Sequence, residues 1–157
     1  TKVLSSGTGG NYSGGTCSTA SDCGQAVSYW VDRGFRQFWV AGAVDFGASN
    51  MPSTTGGSLG TASKPIALAT GGNLSFGSNV VAYGIYYAAT ATVNTNAALG
   101  SGNPTIVGSF ISRGDINKQG TGNLSVVYNS NLFGAAGPPS GLLVPVPGSW
   151  RDKLTAY

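Results

Sequence analysis

The stretch LATGGNLSFGSN at residues 68–79 decides the fold, because its pattern returns along the chain as FWVAGAVDFGAS at 38–49, YYAATATVNTN at 86–96 and FISRGDINKQG at 110–120. The small residues Gly42, Gly72, Thr90 and Gly114 align as equivalent points of the four units, at unequal steps. In three of them an apolar residue follows the glycine by two positions, as in Gly42 to Val44, Gly72 to Leu74 and Gly114 to Ile116. A spacing of two is the signature of a strand with one buried face. Short strands with glycine at the bends suit a chain that winds through successive parallel rungs, each burying its inward side chains on its neighbours. The expected fold is mainly β, a short β-solenoid, over 35–133. Variable spacing fits it, since insertions at a corner project outward; 47–62 and 94–104 are the expected corner loops. The alternative is a β-sandwich in which the same strands pair antiparallel through hairpins.

Composition agrees with a β fold. Of 157 residues, 26 are Gly and 7 Pro, and only 8% are charged, against about a quarter in an average globular domain. The length fits one domain with a single core. Net charge is +3, from eight Lys and Arg against five Asp with no Glu. These cations are scattered, whereas phosphate-backbone binding relies on clustered ones, so DNA is not an expected partner.

Cys17 and Cys23 stand in GTCSTASDCG, and there is no His. A zinc site needs four N or S ligands, so a local disulfide is expected, which points to an oxidising compartment. Residues 1–21 read as a Gly- and Ser-rich lead-in carrying this loop. The one helical signal follows at 22–34. Asp22 is the expected N-cap with Gln25 three residues on; Val27, Trp30 and Val31 fall at i, i+3 and i+4, and Gly34 ends the run. Near the end, Pro138, Pro139, Pro145 and Pro147 forbid regular pairing and predict an extended strap over 134–157. An open solenoid end leaves strand edges unpaired, and the helix and the strap are the expected covers.

The region 66–128, with its Gly-punctuated segments ending in PTIVGSFISRGDINKQGTGNLSVVYNSNLF, together with VPVPGSWRD at 144–152, resembles the C-terminal region of PilX-like minor pilins and pilus-assembly proteins of bacterial type IV pili. In that family, runs such as IxGxxISxGDI and GNLxVVY precede a closing PGSWRD. The resemblance implies a domain that is periplasmic and then extracellular, with other pilin subunits or pilus tip proteins as partners. It further implies roles in pilus assembly and adhesion to a surface or glycan, and a membrane link only through a hydrophobic helix preceding this sequence. It carries no shared catalytic residues. The early disulfide departs from pilins that close a loop near the C-terminus, and points away from a standard pilin head.

Without His or Glu, a Ser-His-Asp or Cys-His nucleophile cannot be assembled in this sequence, and the chain reads as non-catalytic with no cofactor. The alternative is a glycan-binding or glycan-cleaving β-helix, the cleaving form using Asp45 and Asp115 on one face. Asp115, Asn117, Gln119 and Gly120 imitate the opening of a calcium loop, but its twelfth position is Val126 and Lys118 places a cation within it. The segment is read as a turn, with no metal. Gly71, Gly72 and Asn73 are likewise read as a corner requiring positive φ. The aromatic and basic group Trp30, Arg33, Phe35, Arg36, Phe38 and Trp39 is read as mostly core, with Arg33 and Arg36 turned to a partner. Together with Trp150, Arg151 and Asp152 of the tail, these two arginines are the candidate partner-binding residues.

Overall fold

The computed structural model describes residues 1–7, 12–77, 79–94, 103–114, 116–119, 123–129 and 132. The strands are β1 Lys2–Ser6, β2 Thr16–Cys17, β3 Gln37–Val40, β4 Val44–Phe46, β5 Ser58–Leu59, β6 Ile66–Phe76, β7 Val81–Asn94, β8 Thr105–Ser112, β9 Ile116–Gln119 and β10 Ser125–Val127, with one helix, α1, at Ala20–Asp32. The fold is mainly β. Every pairing between the described strands is parallel, which removes the hairpins of the sandwich alternative.

Along the main path the sheet runs β2, β1, β3, β6, β7, β8, β10, so that from β1 onward the neighbours follow chain order. Leu68 of β6 lies beside Phe38 of β3 and Tyr86 of β7, and Tyr86 lies beside Phe110 of β8. The displacements of these pairings are the steps of the alignment, from Gly42 to Gly72, from Gly72 to Thr90 and from Thr90 to Gly114. The later halves of the long strands form a second row, with β4 beside β6 and both β6 and β9 beside β7.

Between the two rows, at Gly71 and Gly72 inside β6, the register shifts by one residue. These glycines are required by contact and not by positive φ. A Cβ on Gly71 would lie 2.5 Å from the Ala41 carbonyl oxygen, and one on Gly72 would lie 2.7 Å from the Ala43 nitrogen. Gly71 and Gly72 therefore lie directly against the backbone of residues 41–43.

Alternation in each strand places the core. Leu4, Val40, Thr70 and Ala88 form one buried row across four strands; Phe38, Leu68 and Tyr86 form the next. Val44 and Leu74, then Phe46 and Phe76, continue it beyond the corner. Thr70 enters the core because its hydroxyl donates to the Gly72 carbonyl at 2.9 Å, satisfying a group that would be costly to bury free.

Several expectations are corrected. The lead-in, read only as Gly- and Ser-rich, carries two strands: β1 pairs with β3 and β2, and Leu4 is fully buried. The helix begins at Ala20, and its N-cap is Thr19, whose hydroxyl accepts the Asp22 amide at 3.2 Å. Asp22 lies inside the first turn, where its carboxylate accepts from the Ser18 amide and hydroxyl and from the Tyr12 hydroxyl. The Tyr12 bond and then those from Ser18 hold that carboxyl below its ordinary range. Gly34 does end the helix. It has φ +92, its amide donates to Val31 and that of Phe35 to Trp30, while the Phe35 ring packs edge-on against Trp30 at 5.0 Å.

Cys17 and Cys23 are disulfide-bonded, as the spacing predicts, and tie β2 to the first turn of α1. The helix then covers the edge of β4 turned away from β6. There the Asp45 carbonyl accepts from Asn50 Nδ2 at 2.7 Å, and Gly24 approaches so closely that a Cβ would sit 2.1 Å from the same oxygen. An edge that would otherwise offer unpaired groups is thus capped. The expected corner loop at 47–62 holds a 3-10 turn at Ala48–Asn50 and the short β5. No helix among the described residues is long and apolar enough to cross a membrane. The strap at 134–157 lies outside the described residues, as does most of the expected loop at 94–104.

Candidate functional site: a basic cleft at the end of the helix

An open cleft of about 540 Å³ forms where α1 ends, lined by Asp32, Arg33, Gly34, Arg36, Thr54, Thr55, Thr61, Ser63 and Lys64. Asp32 anchors the facing loop. Its carboxylate accepts from the Ser53 amide at 3.1 Å and hydroxyl at 2.9 Å, and from the Thr54 amide at 2.8 Å and hydroxyl at 2.6 Å. Burial raises its pKa, but the bonds from Thr54 and Ser53 outweigh burial and hold it down at about 2.

That shift gives a testable sign. A carboxyl whose folded pKa lies below its ordinary value near 3.8 adds stability that is complete above about pH 4 and is lost as pH falls toward 2. Allowing for its partial exposure, the contribution is about 1 kcal/mol, or about 2–4 °C of melting temperature. Asp32→Asn is expected to melt that much lower at pH 7 and to lose less than the parent between pH 4 and 2. Thermal unfolding followed by circular dichroism across that range checks both.

Arg33 and Arg36 come together here but are held differently. Arg33 is exposed, lies over the Tyr29 ring at 3.3 Å and donates to the Tyr29 carbonyl at 3.0 Å. Arg36 is half-buried and donates through Nη1 to the carbonyls of Val31 at 2.8 Å and Phe35 at 3.0 Å. A cation at a helix C-terminus completes carbonyls the helix leaves open and opposes the negative end of its dipole. Part of Arg36 is therefore structural, while Arg33 and Lys64 carry the charge facing the cleft.

Three cations against one internally bonded carboxylate suit an anionic group such as a partner's carboxylate, held by guanidinium and ammonium donors with hydroxyls nearby. Lys64, Asp32 and the hydroxyl residues escape sequence reading because they converge from separate segments of the chain with no local motif. Trp150, Arg151, Asp152 and Asp115 lie outside the described residues.

The aromatic group divides. Phe38 is buried and Trp30 is half-buried with its indole nitrogen donating to the Tyr12 carbonyl, but Phe35 and Trp39 are exposed. Asp45 is half-buried, burial raises its carboxyl pKa, and its register partner is Ser75 and not a second acid. No group of three potential metal ligands occurs among the described residues. In comparisons with known proteins, no family model, no curated protein and no solved structure matches the chain.

Proposed function

We propose that the chain is a non-catalytic surface module of a type IV pilus, built as a short β-solenoid, that acts in pilus assembly or adhesion. The observation that carries the solenoid reading is the parallel register, in which consecutive segments stack in chain order at the same displacements as the aligned small residues. Successive turns of one coil give this pattern, and α1 over the edge of β4 is the cap such a coil needs. The pilus assignment rests on the likeness of 66–128 and of VPVPGSWRD at 144–152 to minor pilins, and the disulfide suits export. The cleft of Arg33, Arg36 and Lys64 is the docking point for an acidic patch of a neighbouring pilin subunit.

Deleting the gene is expected to lower surface piliation and attachment several-fold. The wild-type copy restores both; Arg33→Glu combined with Lys64→Glu, both away from the core, does not. Full piliation and attachment without the gene contradict the pilus assignment. Full rescue by the charge-reversed copy contradicts the role of the cleft.

A further inference from the structure

One row of the sheet breaks the rule that large apolar side chains turn inward. Val3, Trp39, Ala69, Tyr87 and Ile111 are successive register partners across β1, β3, β6, β7 and β8. Four of these side chains are exposed, by 59%, 44%, 37% and 48% for Val3, Trp39, Tyr87 and Ile111. The rows on either side of it point inward and are largely buried, so alternation directs this one to solvent. A contiguous exposed apolar strip on a water-facing sheet marks a recognition surface.

The strip's dimensions restrict what it fits. Five strands span about 19 Å, because neighbouring strands lie about 4.8 Å apart. It is a single side chain wide. That is far below the ~800 Å² per partner of a stable protein interface, so a narrow linear ligand suits it better than a folded protein. Trp39 and Tyr87 stand two strands apart, about 9.6 Å, with Ala69 between them leaving room for both rings. An extended β-linked chain of pyranose rings turns the same face outward at every second sugar, a repeat of the same order. Each such face offers C–H groups to an aromatic ring and keeps its hydroxyls at the edge.

Charge points the same way. The row has no charged side chain, and Arg33, Arg36 and Lys64 line the cleft instead. Of the flanking rows on the same face, one supplies the uncharged Gln37 and Ser109, while the other ends in the exposed Arg113, two residues past Ile111. The aromatic positions themselves match a neutral ligand.

We propose that the row Val3, Trp39, Ala69, Tyr87 and Ile111 binds a neutral, extended β-linked glycan lying across the strands, with Trp39 and Tyr87 stacking on alternate sugars. This names a ligand class for the adhesion reading, but it is argued from the row itself and is tested on the purified chain, apart from any pilus. The test is titration of the purified, disulfide-bonded chain with cellohexaose and with chitohexaose, followed by calorimetry, with linear α-linked maltohexaose as control. Binding of at least one β-linked hexamer is expected. Because each ring contributes on the order of 1.4 kcal/mol, Trp39→Ala and Tyr87→Ala should each weaken it by about tenfold. Both side chains are more than a third exposed, so each variant should still unfold cooperatively within a few degrees of the parent, and Arg33→Glu should leave glycan affinity unchanged. No binding of either β-linked hexamer overturns the proposal. So does equal affinity for maltohexaose, or binding that survives both aromatic substitutions.

Discussion

Gly84→Ala is expected to cost about 4 kcal/mol or more, enough to lower the melting temperature by roughly 10 °C or to prevent accumulation of folded protein. Gly84 sits inside β7 with φ +141, a conformation L side chains rarely adopt, and a Cβ there would stand 1.8 Å from the Ile66 carbonyl oxygen. Ile66 is its register partner, so that carbonyl cannot withdraw without opening the β6–β7 pairing. Gly108 repeats the arrangement one strand further on. It pairs with Gly84, has φ +134, and its Cβ would meet the Gly84 oxygen at 2.0 Å. The two glycines let three backbones approach more closely than any side chain permits. Gly47→Ala is the control: its φ is −117 and nothing lies within 4 Å of the added Cβ. Its stability should remain within about 0.5 kcal/mol of the parent. Equal melting temperatures for Gly84→Ala and Gly47→Ala would mean that the backbones do not stack as described.

Phe76→Ala is expected to destabilise by about 3–5 kcal/mol, the range for removing a buried aromatic ring and leaving a cavity. Phe76 is fully buried, and its ring lies 5.8 Å from Phe46, 5.4 Å from Tyr86 and 5.8 Å from Phe110. Those partners come from β4, β7 and β8, so one side chain joins four segments in the core. Tyr86 depends on this packing. Its buried hydroxyl reaches the carbonyls of Leu59 at 3.3 Å and Tyr83 at 3.2 Å, and burial pushes its phenol far above the usual range. Phe76→Leu keeps most of the volume and should cost less than half as much. Urea unfolding of both variants separates these outcomes. The midpoint should fall in proportion with the slope unchanged, and a cost below about 1 kcal/mol for Phe76→Ala would place the ring outside the core.

How much of this is legible in the sequence depends on the range of the interaction. The steps between Gly42, Gly72, Thr90 and Gly114 can be read because glycine or threonine recurs at equivalent bends, and they are the registers of β3–β6, β6–β7 and β7–β8. The helix can be read from its apolar spacing and its glycine stop. Its start cannot, since Thr19 and Asp22 are both good capping residues and only geometry shows that Asp22 serves from within the first turn. β1 is hidden because Leu4 is the one fully buried anchor among its described side chains and the strand that pairs beside it, β3, lies beyond the helix in the chain. Gly84 and Gly108 carry no sequence signal, because pattern assigns glycine to bends while these two serve backbone approach inside strands. Chemistry alone groups Trp39 with the core, although its place between the inward Phe38 and Val40 directs it outward by simple alternation. The cleft has no local signal at all.

Parallel stacking of segments in chain order is tested most directly by cross-strand nuclear Overhauser contacts between backbone protons of the isotope-labelled protein. The structure predicts contacts that advance in step along both strands of each pair: Leu68 with Tyr86 and Ala69 with Tyr87, then Tyr86 with Phe110 and Tyr87 with Ile111. Contacts of Phe76 with Val81 and Ser75 with Ala82, closing about the turn between β6 and β7 as in a hairpin, would contradict it.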